Sequence, residues 1–168
     1  MIDASKTEVG EDAMAVVVAQ AHEVARGFTT LWMPSQVVCP SEIAEEAVVR
    51  ALSTAALQRD VPFETIDLRP APAERLEAVT ARLAGWRGRP ETRDPTFVRS
   101  LLILRGFDVF GDEQHEEPTY PFRSNFQFDE EFRWVFLGRS DERMRFLFSS
   151  YERPLYLAAV DITPEAWR

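Results

Sequence analysis

The run SLLILR, residues 100–105, carries four consecutive aliphatic side chains, Leu101 to Leu104, and so has no face to offer water. Side chains alternate across a strand, so a run of this kind is a central strand covered on both sides of its sheet. Cover on both sides comes from helices that link parallel neighbours through crossover connections. A chain of 168 residues, 45% of them hydrophobic, buries one core of that type. With five strand candidates interspersed with helices along the chain, the expected fold is a three-layer α/β sandwich around a largely parallel five-stranded sheet. Residues 11–168 are expected to form a single domain behind a flexible polar tail at residues 1–10.

The other elements are read from periodicity. Met14, Val17, Val18, Ala21, Val24 and Ala25 recur at three- and four-residue spacings, the stripe of a one-sided helix that Gly27 is expected to end. TTLWM, residues 29–33, reads as a short buried strand, and PSQVVCPS, residues 34–41, as the loop after it. From Ser41 to Arg59 a long helix carries Ala44, Ala47, Val48, Ala51, Leu52 and Ala55 on one face. VPFETIDL, residues 61–68, is strand-like, and Pro70 and Pro72 precede a helix packing through Leu76, Val79, Leu83 and Trp86. RGRPETRDP and GDEQHEEPTYPFRSN read as loops, DEEFRWVFLG as a helix, and MRFLFSS and PLYLAAVDI as strands.

This order of elements resembles the core of a P-loop NTPase, the AAA+ ATPases in particular, over residues 11 to 161. The resemblance makes TTLWM the first strand, PSQVVCPS the phosphate loop and MRFLFSS the sensor strand. The family's loop, G-x-x-x-x-G-K-S/T, cradles phosphate with backbone N–H groups and a lysine. Here Pro34 and Cys39 stand where the glycines belong, Pro40 replaces the lysine, and Ser41 alone matches. Two prolines remove two donors, Val37 and Val38 disfavour positive φ, and Glu42, Glu45 and Glu46 in the next turns would repel a polyphosphate. Arg105 and Gly106 occupy the positions of the family's magnesium-binding and water-orienting acids. The resemblance thus implies a degenerate, non-catalytic domain without a cofactor, kept as a protein-binding or regulatory subunit, with an active ATPase or another assembly subunit as its partner.

CPSE at a helix N-terminus, together with VPFETIDL, also resembles glutaredoxin and other thioredoxin-fold proteins, with Asp94-Pro95-Thr96 as the counterpart of that fold's cis-proline turn. The alternative function is thus a monothiol oxidoreductase using Cys39, set against a partly buried structural thiol. As the single cysteine, Cys39 excludes an internal disulfide and a cysteine-rich zinc site. His115, flanked by Asp112, Glu113, Glu116 and Glu117, reads as part of a solvated acidic loop before it reads as a metal ligand, and no metal site is expected. A formal charge of -9 disfavours nucleic-acid binding by charge neutralisation. No apolar run reaches the length of a membrane span and the acidic N-terminus is unlike a signal peptide, so the expected compartment is the cytoplasm. Partner contacts are expected from Tyr120, Phe122 and Phe126, rings in a proline-bearing segment read as a loop.

Overall fold

A computed structural model describes the backbone of residues 4–86 and 98–168 and the side chains of residues 10–85 and 98–168. Helix α1 (Ala4–Leu31) leads into strand β1 (Ser35–Val38), then α2 (Glu42–Leu57), β2 (Phe63–Asp67), α3 (Pro72–Trp86) and β3 (Ser100–Arg105). Beyond a short 3-10 helix (Phe107–Phe110) come α4 (Thr119–Phe126), β4 (Phe132–Gly138), α5 (Asp141–Ser149) and β5 (Val160–Asp161). The five strands form one sheet in the order β2-β3-β4-β1-β5, and every pairing is parallel. The expected α/β class and five-stranded sheet are observed, and the sheet is parallel throughout.

The order of strands dictates the layers. The chain passes from β1 across the sheet to β2, then returns through β3 and β4 to β5. Right-handed crossovers therefore send α2 to one face and α3, α4 and α5 to the other. The two cores match. Val37, Leu101, Ile103, Val135 and Leu137 pack with Val24 and Phe28 of α1 and Val48 and Leu52 of α2. Leu102, Leu104, Trp134 and Phe136 face the opposite way, onto Leu76 and Val79 of α3, Phe122 and Phe126 of α4, and Leu147 and Phe148 of α5. All four aliphatic residues of the SLLILR run are buried, alternately on the two faces.

Several elements differ from the expectations, for identifiable reasons. TTLWM spans the last residues of α1 and the turn out of it, because the helix continues through Gly27 to Leu31. A glycine inside a helix costs about 1 kcal/mol, while burying Phe28 on the same stripe returns about 2. The left-handed Trp32, at φ 50°, then turns the chain. The first strand lies instead in the segment read as a phosphate loop, so only Cys39, Pro40 and Ser41 separate β1 from α2. DEEFRWVFLG yields β4, since Phe132, Trp134 and Phe136 alternate with Val135 and Leu137 at a period of two. MRFLFSS is in α5, where Met144, Leu147 and Phe148 share one face and Ser140 Oγ accepts the N–H of Arg143 at 3.3 Å as an N-cap.

PTYPFRSN is largely the helix α4, and PLYLAAVDI contributes only Val160 and Asp161 to the sheet. Helix α1 begins at Ala4, inside the stretch read as a tail. The loop RGRPETRDP, the side chain of Trp86 and the Asp94-Pro95-Thr96 turn lie outside the described residues. Among the described residues no helix is long and apolar enough to cross a membrane.

Candidate active-site position at the C-terminal edge of the sheet

Strands β1 and β4 are neighbours, yet the chain leaves β1 toward α2 on one face and β4 toward α5 on the other. Such a divergence opens a crevice beyond the carboxyl ends of the strands, the usual ligand position in an open α/β sheet. The residues at the strand ends there are Cys39 to Ser41 after β1, Arg105 and Gly106 at the end of β3, and Arg139 after β4. The N–H of Cys39 donates to Gly138 O at 2.8 Å, which extends the β1–β4 ladder up to this point. Ser41 is the N-cap of α2, its Oγ accepting the Ala44 N–H at 3.1 Å.

At these strand ends a carboxylate of the chain itself gathers three arginines. Glu45, in the first turn of α2, is fully buried. Its Oε1 accepts from Arg69 Nη2 at 2.8 Å and Arg105 Nε at 2.6 Å, and its Oε2 from Arg69 Nη1 at 3.2 Å and Arg139 Nε at 2.9 Å. Two carboxylate oxygens offer about four lone-pair sites, so the acceptor capacity of Glu45 is used up. Burial alone would raise its pKa, but the hydrogen bonds and charges of Arg105, Arg139 and Arg69 outweigh that and hold it below the ordinary glutamate value.

The arginines are fixed in turn. Asp67, at the end of β2, takes Arg69 Nε and Nη2 at 2.9 and 3.0 Å, and this pairing keeps the Asp67 carboxyl below its usual pKa. Arg105 reaches Glu46 through Nη2, and Arg139 is anchored through its backbone N–H, which donates to Asp108 Oδ2 at 3.1 Å. Gly106 sits at φ 71°, and a Cβ there would come within 2.5 Å of Arg69 Cγ, so glycine is what lets β3 turn beside that arginine. Gly138 answers a close approach as well: a Cβ there would lie 2.6 Å from Met144 Sδ and 2.9 Å from Asp108 Cβ.

Cys39 lies beneath this cluster, fully buried. Burial, with Glu45 adding to it, pushes the thiol up to about 12 against the opposing pull of Arg139 and Arg105. At neutral pH it is a thiol rather than a thiolate, the reverse of what a nucleophilic cysteine requires. Tyr120 is 48% exposed, whereas Phe122 and Phe126 are core residues at 0% and 7%. The two phenylalanines stack at 5.4 Å and meet Trp134 edge to face at 5.6 and 5.2 Å. Their inward position corrects the picture of a loop of exposed rings: in a helix packed on a sheet, residues four apart share the buried face. His115 Nδ1 lies 2.6 Å from Asp112 Oδ1, and among the described residues no group of three or more His, Cys, Asp or Glu is arranged to hold a metal.

Glu45 and Arg105 stand out in the sequence separately and unjoined, while Arg69 and Arg139 do not stand out there one by one. A signal for the cluster was present: an arginine closes or stands just after the apolar runs of β2, β3 and β4. No family model, curated protein or solved structure matches the chain.

Proposed function

We propose that the chain is a non-catalytic, P-loop-like domain that works by binding other proteins, as a regulatory subunit of a larger assembly. The observation that carries this reading is the saturation of Glu45 by Arg69, Arg105 and Arg139 at the position where an open parallel sheet receives its ligand. A bound phosphate would need those same guanidinium groups, and the carboxylate already holds them. With its acceptor sites filled and its pKa lowered, Glu45 is a poor general base, because a base must have a free lone pair for the proton it takes.

The state of Cys39 supports the same reading over the monothiol alternative. A buried thiol raised to about 12 neither reaches a substrate nor ionises near neutrality. Of the three rings expected at an interface, Tyr120 is the one suited to a partner, an amphipathic ring with nearly half its surface exposed. The test is affinity purification from the native cell with the wild-type chain and with Tyr120→Ala and Cys39→Ser variants. A specific protein recovered by wild type and by Cys39→Ser, and reduced with Tyr120→Ala, is the expected result. Glutathione-dependent reductase activity that disappears in Cys39→Ser would replace this reading with the enzymatic one.

A further inference from the structure

At the opposite edge of the sheet, where β1, β3 and β4 begin, a pocket of about 350 Å³ opens between Trp32, Arg99, Arg123, Arg133 and Trp134, with Asp129 on its wall. Arg133 is the second residue of β4, and its guanidinium lies over the Trp32 ring at 4.2 Å from the centroid. Its Nε is buried and has no hydrogen-bond partner among the described residues. Elsewhere in the molecule, partly buried guanidinium groups meet carboxylates: Arg105 meets Glu45 and Glu46, and Arg153 meets Glu113 and Glu116. Around Arg133 the charge pattern is reversed. Burial lowers its pKa, the neighbouring charge that acts on it is that of Arg99, and no described carboxylate offsets the two. Asp129 is turned to other work, accepting the N–H groups of Glu131, Phe132 and Trp134 Nε1 at 3.1, 3.0 and 2.8 Å.

A partly desolvated cation with no anion among the described residues, set among further arginines in a chain of net charge -9, is costly to keep unless something negative comes to it. We propose that this pocket is an oxyanion-binding site for a small molecule carrying a phosphate or carboxylate group. Arg133 supplies the central charge, Arg123 and Arg99 close around the anion from α4 and from the start of β3, and planar guanidinium groups suit both kinds of oxyanion. The volume exceeds that of a bare ion, which leaves room for a body beside the aromatic wall of Trp32 and Trp134. The site stands apart from the Glu45 cluster, at the other end of the strands, and does not depend on the function proposed above.

The experiment is thermal unfolding of the purified full chain at constant ionic strength, with chloride replaced stepwise by inorganic phosphate or by acetate. The expected result is a saturable rise in melting temperature with at least one of the two, which also tells the phosphate source from the carboxylate one. The affinity should fall by about tenfold or more in Arg133→Gln and in Arg123→Gln, the loss typical of one charge-assisted contact. Arg123 is half-buried on a helix, so its variant carries the test if Arg133→Gln fails to fold. Equal melting temperatures in all three salts, or a rise undiminished in the folded variants, overturns the proposal.

Discussion

Glu45 illustrates how a charge is tolerated inside a protein: every lone pair is met, and the partners are themselves held by Asp67, Glu46 and Asp108. Its neutral isostere should therefore be poorly accepted. Glu45→Gln leaves three guanidinium groups facing an amide that brings donors of its own, and breaking a buried pair in this way costs about 3–5 kcal/mol, read from urea unfolding at pH 7. The same variant exposes the pH dependence. The folded-state pKa of Glu45 is lowered, so its stabilisation is present in full above the unfolded value of about 4.3 and disappears as pH falls through the folded value. The stability gap between wild type and Glu45→Gln should thus be constant from pH 7 to 5 and shrink in more acidic buffer. A gap that stays constant down to pH 3 contradicts a depressed pKa. Cys39 titrates with the opposite sense, its thiol raised to about 12. The contribution it makes as a neutral group is complete below the unfolded pKa of about 8.5 and is lost as pH rises from there toward 12. In native protein a thiol reagent should modify it only slowly at pH 8, and quickly once denaturant is added; rapid native labelling would contradict its burial.

Among the elements, α4 separates two roles that the aromatic side chains could share. Phe122 fills the space between α4 and β4 against Trp134 and Phe136, so Phe122→Ala should cost about 3–5 kcal/mol of stability. Tyr120→Ala, on the outer face, should stay within about 1 kcal/mol of wild type. Equal losses in thermal or urea unfolding would mean that Tyr120 is as much a core residue as its neighbour. The helix was hidden in the sequence because Pro118 and Pro121 suggest a loop, whereas Pro118 in fact precedes the helix and Pro121 lies in its first turn, where a proline gives up no helical hydrogen bond. β3 was legible since four aliphatics in a row leave one solution, and β2 and α2 were legible from period and breakers. β4 and α5 were exchanged because a run such as FRWVFLG or MRFLFSS is apolar at short range under either period. They are separated by a central position between β3 and β1 in one case and by the Ser140 N-cap in the other. The Glu45 cluster was not legible as a unit, as its members come from four separate elements or their ends and meet only once the sheet is formed.

At the scale of the whole molecule, the parallel sheet brings four chain segments to one edge and leaves that edge neutralised from within. Four acids, Glu45, Glu46, Asp67 and Asp108, stand with three arginines in a single network, so no uncompensated positive field remains there for a polyphosphate. Only three residues connect β1 to α2, two of them without the conformational freedom or the donors of a phosphate-cradling loop: Pro40 has no N–H, and the N–H of Cys39 is committed to Gly138. On the function proposed above, this edge is a ligand position filled by the chain's own carboxylate. Calorimetric titration of the purified protein with magnesium-ATP at pH 7 decides whether it is closed to nucleotide. No saturable heat is expected up to millimolar nucleotide; saturable binding in the micromolar range that is altered by Glu45→Gln or Arg105→Gln would contradict a self-filled site.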